Sequence, residues 1–338
     1  MLFPLRRKII MNNIIYKSHF KKHIKNYIEL KQAVGYKYDA EAEHLQRFDK
    51  FILEKYPDAT ILSKEIVLAW CGKKSHEAQA NQCLRASIIR QFGKYLDSIG
   101  ITSYIIPKKY YPAAKQYIPY IYTVGELKMF FAETDKCRYS REFPYRHLIM
   151  PVIFRMIYMC GLRASEARLL KVSDVDLEQG ILTIHQSKND ISRLVPMSVL
   201  LTNRCRIFSQ KIHLHSAAES YYFPALNGRP MTIVNLYHNF RRFLWRAKIS
   251  HGGRGRGPRV HDFRHAYAVH CLKKWSVQEK DLAVYLPILR TYMGHDSFEE
   301  TAYYLHLTAD VFPEITLKIE TRYPEIIPEL EGDDNETK

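Results

Sequence analysis

The stretch His261-Asp262-Phe263-Arg264-His265, taken with Met293-Gly294-His295 and Tyr303-Tyr304 downstream, decides how the rest of the chain is read. Apolar Phe263, Tyr267 and Cys271 recur at helical spacing and predict a helix from Val260 to Leu272. On that helix His261 and Arg264 project side by side. An imidazole and a guanidinium on one face make a phosphate-handling pair, because the fork clamps two oxygens while the ring exchanges a proton near neutral pH. Alone, the pair proves little.

Upstream stands Gly161-Leu162-Arg163-Ala164-Ser165-Glu166. The helix predicted from about Tyr145 to Cys160 is apolar nearly all round and stops at Gly161, as a buried central helix does. Arg163 then falls near the start of the next helix, where the dipole disfavours a cation, a cost that function would explain. Residues Gly180 to His185 alternate, Ser187 to Ser192 are polar, and Arg193 to Met197 is again strand-like, which predicts a hairpin with Lys188 near its tip. A lysine on such a tip is most often a solvated charge, and any one of 24 tyrosines is most often structural.

An Arg, a Lys, a His-x-x-Arg, a second His and a Tyr, in that order, resemble the tyrosine recombinase (phage integrase) family, of the mobile-element type. The resemblance covers roughly residues 123–308 and, more loosely, the helical segment before them. It implies that Arg163 and Arg264 neutralise the non-bridging oxygens of a DNA phosphate, where such donors are worth roughly 3 to 4 kcal/mol each. It further implies Lys188 as the general acid for the leaving 5′ oxygen, His261 as base or proton shuttle, and His295 as a hydrogen-bond partner of the phosphate. Tyr304 becomes the nucleophile of a 3′-phosphotyrosyl intermediate, with Tyr303 turned into the core. No metal, ATP or other cofactor is implied. Met293 stands where the family more often has Leu, and Ser187-Lys188-Asn189 replaces a glycine-flanked Lys. Neither departure removes a reacting group.

A chain of 338 residues with 46% hydrophobic and 13% aromatic residues is globular and long enough for two domains. Its net charge of +16 is uneven. The tail after Tyr323 holds six acids and one base, so residues 1–322 carry 50 bases against 29 acids, or +21. A charge of that size points to a polyanion, with nucleic acid the first candidate. The six cysteines are scattered without a Cys-x-x-Cys and read as reduced residues of a cytoplasmic protein, nucleoid-associated if it binds DNA. No apolar run is long enough to span a bilayer.

Residues 1–15 read as a flexible basic arm, and 16–105 as a four-helix unit with stripes such as Phe20, Ile24, Tyr27 and Leu84, Ile88, Phe92, Leu96. Its basic faces suit a module laid on a duplex, and Lys21, Lys25, Arg85 and Arg90 are the candidate contacts. Residues 106–120, with Pro107, Pro112 and Pro119, read as an extended linker in which Lys108 and Lys109 can cross a phosphate backbone. A capping box at Thr123 to Glu126 opens the second domain, 121–322. In it, Arg241 and Arg242 on a helix from Ile233, and Arg254 and Arg256 in a glycine-rich loop, are further DNA candidates, though that loop reads equally as a connector. A last amphipathic helix follows Val311, and 323–338 form an acidic tail. The expected fold is mostly α with a small antiparallel β-sheet in the second domain (α+β). By resemblance the two domains form a clamp on double-stranded DNA, as a homotetramer, with accessory recombinases as further partners.

Other readings stay open. They include a Xer-like resolvase of chromosome or plasmid dimers, a type IB topoisomerase, and a catalytically silent DNA-binding protein. A metal-dependent nuclease needs clustered carboxylates, and Asp174-Val175-Asp176 reads better as turn and cap residues.

Overall fold

The computed structural model describes residues 15–113, 117–185, 192–253, 257–295, 297 and 299–311. Two compact units divide the chain, Met1–Tyr117 and Ile118–Lys338. The arm before residue 15, Lys188, Arg254, Arg256, the helix expected beyond Val311 and the acidic tail lie outside the described residues.

Among its described residues the first unit packs four helices, α1 (Lys21–Ala33), α2 (Asp39–Lys55), α3 (Lys64–Cys71) and α4 (Gln79–Ser98). Each buries one stripe, and the stripes meet around Phe20, Ile24, Leu45, Phe48, Trp70 and Phe92. Ser63 caps α3 by accepting from the Ile66 amide. Lys21 and Lys25 are exposed on α1.

Arg85 is not exposed. It is 4% accessible, forms a 2.6 Å ion pair with Glu77, and donates to the carbonyls of Trp70 and Gly72. The reason is register. Arg85 shares the buried stripe of Ile88, Ile89 and Phe92, while Leu84, expected on that stripe, is 45% exposed. Arg90 is also occupied, donating to the carbonyls of Ile106, Pro107 and Lys108. The segment read as a linker therefore begins inside the first unit, with Ile106 fully buried and the Pro112 carbonyl accepting from Gln79 and Cys83. Lys108 and Lys109 remain exposed.

The second unit runs α5 (Val124–Asp135), α6 (Arg146–Met159), α7 (Ala164–Leu169), β1 (Val175–Asp176), β2 (Ile181–Ile184), β3 (Arg193–Pro196), α8 (Val199–Ile212), α9 (Ile233–Arg246), α10 (Asp262–Val277), α11 (Leu282–Met293) and α12 (Glu299–Val311). The strands form one antiparallel sheet in sequence order, with Leu182 opposite Val195. Thr123 and Glu126 make the capping box of α5. Asp176 accepts from the amides of Glu178 and Gln179, a turn role, and Asp174 accepts from the Lys171 amide, a cap role. The described residues are thus mostly α-helical with one small antiparallel sheet, as the sequence predicts.

The core of this unit is aromatic. Phe263 stacks on Tyr122 at 4.8 Å between ring centroids and meets Phe130 edge-on at 5.0 Å. Burying such a ring stabilises by about 1.5–3 kcal/mol. Phe263 therefore anchors the first turn of α10, so the flanking His261 and Arg264 are held on a rigid element.

Candidate active site

Three arginines converge on the end of one helix. α11 closes at Gly294, whose left-handed conformation (φ +64°) lets the chain turn out of the helix. Three successive carbonyls there each accept from a different guanidinium: Tyr292 from Arg193 at 2.9 Å, Met293 from Arg264 at 2.6 Å, and Gly294 from Arg163 at 3.0 Å. Carbonyls at a helix C-terminus lack intrahelical donors and carry the negative end of the dipole, so a cation is favoured at that point. Arg264 also donates to the Gly161 carbonyl at 2.7 Å, just past the end of α6, so one side chain ties two helix termini together.

Arg264 is 1% exposed. Burial, then the nearby Arg163, draw its pKa down to about 10, still well above neutrality, so it stays charged. Arg163, at the N-cap of α7, is partly open to solvent and pairs with Glu166 at 2.9 Å. Glu166 also receives a two-pronged contact from the buried Arg193, at 3.0 and 2.8 Å. Burial would raise the Glu166 pKa. The Arg193 bonds and charge and the Arg163 amide outweigh it and hold the carboxyl below its ordinary range. A guanidinium has more N–H donors than these bonds use, so both Arg163 and Arg264 retain capacity for an anion.

The histidines and the tyrosine complete the cluster. Tyr304 on α12 is 3% exposed. Its hydroxyl lies 3.1 Å from His265 Nδ1, and its ring stacks on His295 at 5.7 Å. His295 Nδ1 meets the buried Thr301 hydroxyl at 2.8 Å, which orients the ring. Thr301 and Tyr304, three apart on α12, share a face. His261 meets His265 edge-on at 4.7 Å.

Loss of water, then Arg264 and Arg163, lower the His295 pKa to about 3. Loss of water, then His261 and Arg264, do the same for His265. His261 is exposed by area, yet crowding at its ring and the same two arginines hold it below the ordinary range. Burial pushes the Tyr304 phenol up to about 12 although Arg264 and Arg163 pull it down. The site therefore stores positive charge and neutral imidazoles around one phenol, an arrangement suited to receive an anion.

Of the residues named from sequence, Arg163, His261, Arg264, His295 and Tyr304 are brought together. Tyr303 and Tyr304 are reversed in burial, with Tyr304 deeply buried and Tyr303 half-buried, because the phenol facing Arg264 is itself packed under α10 and α11. Glu166, Arg193, His265 and Thr301 were not assigned from sequence. His265 follows His261 by one helical turn, and Glu166 follows Arg163 by three residues, so helical spacing carried a signal for those two. Nothing local marked Arg193 as buried. Arg241 and Arg242 are exposed on α9, and Arg242 lines a cavity of about 450 Å³ with Arg138, Arg146 and Arg246. Among the described residues no group of three or more His, Cys, Asp or Glu is placed to hold a metal ion. No helix among them is long and apolar enough to cross a membrane.

A match to the phage integrase family spans residues 126–310, more than half of the chain. A Sinorhizobium fredii protein named as an integrase/recombinase is 28% identical over 312 residues, covering 90% of this chain and 98% of that protein. Tyrosine recombinase XerD of Proteus mirabilis is 27% identical over 161 residues, 47% of each chain. Among solved structures, the XerH site-specific recombinase bound to palindromic difH substrate aligns with a TM-score of 0.60 at 20% identity, over 82% of this chain and 78% of that one. The Tn1549 transposon integrase in complex with transposon right end DNA aligns at 0.61 and 13% identity, over 87% and 98%. At these identities the structural likeness speaks of fold alone.

Proposed function

The chain belongs to the phage integrase family of tyrosine recombinases, and from that premise we propose that it is a site-specific DNA recombinase working through a 3′-phosphotyrosyl intermediate. Arg163 and Arg264 bind the non-bridging oxygens of the scissile phosphate and offset the charge that builds in the transition state. Tyr304 attacks phosphorus, the 5′ oxygen leaves with a proton from Lys188, and His261 shuttles protons at the same centre. His295 hydrogen-bonds the phosphate. The covalent link conserves the bond energy, so a 5′ hydroxyl from another strand reseals it without ATP.

The observation that carries this reading is the buried Tyr304, its ring stacked on His295 and its phenol under the charges of Arg264 and Arg163. A protein that only bound DNA would gain nothing from burying a phenol against two guanidinium groups. The net charge of +16 suits a double-stranded DNA partner. A match to an integrase/recombinase over 90% of the chain, against 47% for XerD, favours integration, excision or transposition of a mobile element over dimer resolution. The working form is then a homotetramer on DNA in the cytoplasm, its helical first unit and its second unit clamping the duplex, with accessory recombinases as further partners.

The test uses a nicked suicide duplex carrying a site that this protein selects from a random pool. The intact chain should form a denaturant-resistant adduct through Tyr304, and Tyr304→Phe should form none. Equal adduct from Tyr304→Phe, or binding without any adduct from the intact chain, ends the reading. Joined ends of the DNA flanking the reading frame, recovered as a circle, would support the mobile-element role.

A further inference from the structure

We infer that His265 accepts the proton of the Tyr304 hydroxyl as that oxygen attacks, and that the same hydrogen bond holds the nucleophile in its neutral form until a DNA phosphate arrives. The inference rests on Tyr304 being the nucleophile. Its geometric ground is the 3.1 Å contact between His265 Nδ1 and the Tyr304 hydroxyl, two groups that lie 39 residues apart in sequence and meet on adjoining faces of α10 and α12.

The direction of the bond follows from what else surrounds the phenol. The charges of Arg264 and Arg163 act on the phenol oxygen, drawing its pKa down against burial, and a guanidinium can only donate. That positive charge favours the oxygen's lone pairs on the arginine side and its hydrogen turned away from them. His265 Nδ1 lies in reach, so Nδ1 carries the lone pair and Nε2 the hydrogen. A neutral imidazole is required for that, and burial together with His261 and Arg264 keeps His265 neutral.

In the step itself the Tyr304 O–H bond breaks and its proton forms a new N–H bond at His265 Nδ1. The freed electron pair on oxygen forms the O–P bond. The bond from phosphorus to the 5′ oxygen breaks, and that oxygen takes a proton from Lys188 under the assignment above. Rejoining runs the same transfers backwards, with His265 returning its proton to the phenol.

The transfer waits for substrate because of the charges around the pair. Burial raises the phenol to about 12 and, with His261 and Arg264, holds the imidazole at about 3, so the proton stays on oxygen. A phosphate seated between Arg163 and Arg264 brings negative charge that offsets the cations acting on His265 and favours its protonated form. Bond formation to phosphorus makes the phenol acidic at the same moment.

The test combines substitution at 265 with a more acidic nucleophile. His265→Asn keeps a polar group near Nδ1 that can hydrogen-bond but cannot take a proton. We expect it to bind the selected site and unfold as the parent chain does, and to cleave the suicide duplex about two to four powers of ten more slowly. Replacing Tyr304 by 3,5-difluorotyrosine, whose phenol ionises more readily, should recover a large part of that loss. A 5′-bridging phosphorothiolate substrate, whose sulfur leaves without a proton, should rescue Lys188→Ala and leave His265→Asn slow. Parental cleavage by His265→Asn overturns the inference. So does a loss that the fluorinated phenol does not narrow, or one that the phosphorothiolate repairs. Failure of the premise looks different, since Tyr304→Phe would then still form adduct.

Discussion

Glu166 is a carboxylate that two arginines share, and its worth is set by what its removal strands. Arg193 is 8% exposed and relies on Glu166 for both prongs of its contact. Glu166→Gln keeps the shape and removes the charge, leaving a buried guanidinium without its counter-ion. Breaking such a pair costs about 3–5 kcal/mol. Thermal unfolding of the variant should fall accordingly, and cleavage with it as Arg163 loosens. An unchanged unfolding temperature would mean that the carboxylate is dispensable. Gly294 is the second sensitive position. A Cβ there would stand 2.9 Å from Arg193 Nη1 on a backbone at φ +64°. Gly294→Ala should cost at least about 1 kcal/mol from the left-handed conformation alone, and adduct yield should drop further than stability if the arginine shifts.

The C-terminus of α11 organises the site as an element, because three guanidinium groups hang from its last carbonyls. The sequence marked Met293-Gly294-His295 as part of the site but did not mark 282–293 as a helix. It could not say which cations the carbonyls would receive, since Arg163 and Gly294 are 131 residues apart and Arg193 and Tyr292 are 99 apart. On α4 the same limit produced an error. Arg85 looks in sequence like its basic neighbours, and only the packing against Trp70 and Glu77 shows it to be internal. The two kinds of cation separate by experiment. Arg85→Ala should destabilise the first unit by about 3–5 kcal/mol through the stranded Glu77. Lys25→Ala should leave unfolding unchanged and reduce the slope of log affinity for DNA against log salt by about 1. An Arg85→Ala protein as stable as its parent would contradict the burial seen here.

At the scale of the whole molecule, the cationic site has a consequence for stability against pH. His265 and His295 are held at about 3 in the folded chain, against 6.5 for an ordinary histidine. As pH falls below about 6.5 the unfolded chain binds protons that the folded site refuses, so stability declines from there downward. The depressed Glu166 carboxyl acts in the same direction in a lower window. Its contribution is present above the ordinary carboxylate pKa and is lost as pH falls through the folded value. Unfolding temperatures measured from pH 7 to 5 should drop for the parent protein and drop less for a His265→Asn, His295→Asn double variant. Saturating DNA should flatten the parent's decline as well, because phosphate favours the protonated rings. A parent curve flat over that range would show that the imidazoles are not shielded as described.

What the sequence determined by itself was local and ordinal. Apolar spacing set most of the helices, though not α8 or α11, alternation set the small hairpin, and the order of Arg163, His261, Arg264, His295 and Tyr304 named the side chains that meet. Charge named the partner's sign. Tertiary structure alone decided which arginines face inward, that Glu166 and the end of α11 hold three of them, that Tyr304 rather than Tyr303 is the deeply buried phenol, and that His265 lies against its hydroxyl. The reason is physical. Periodicity reports which face of an element is apolar, whereas the partner of a buried polar group comes from another part of the chain and leaves no mark beside it.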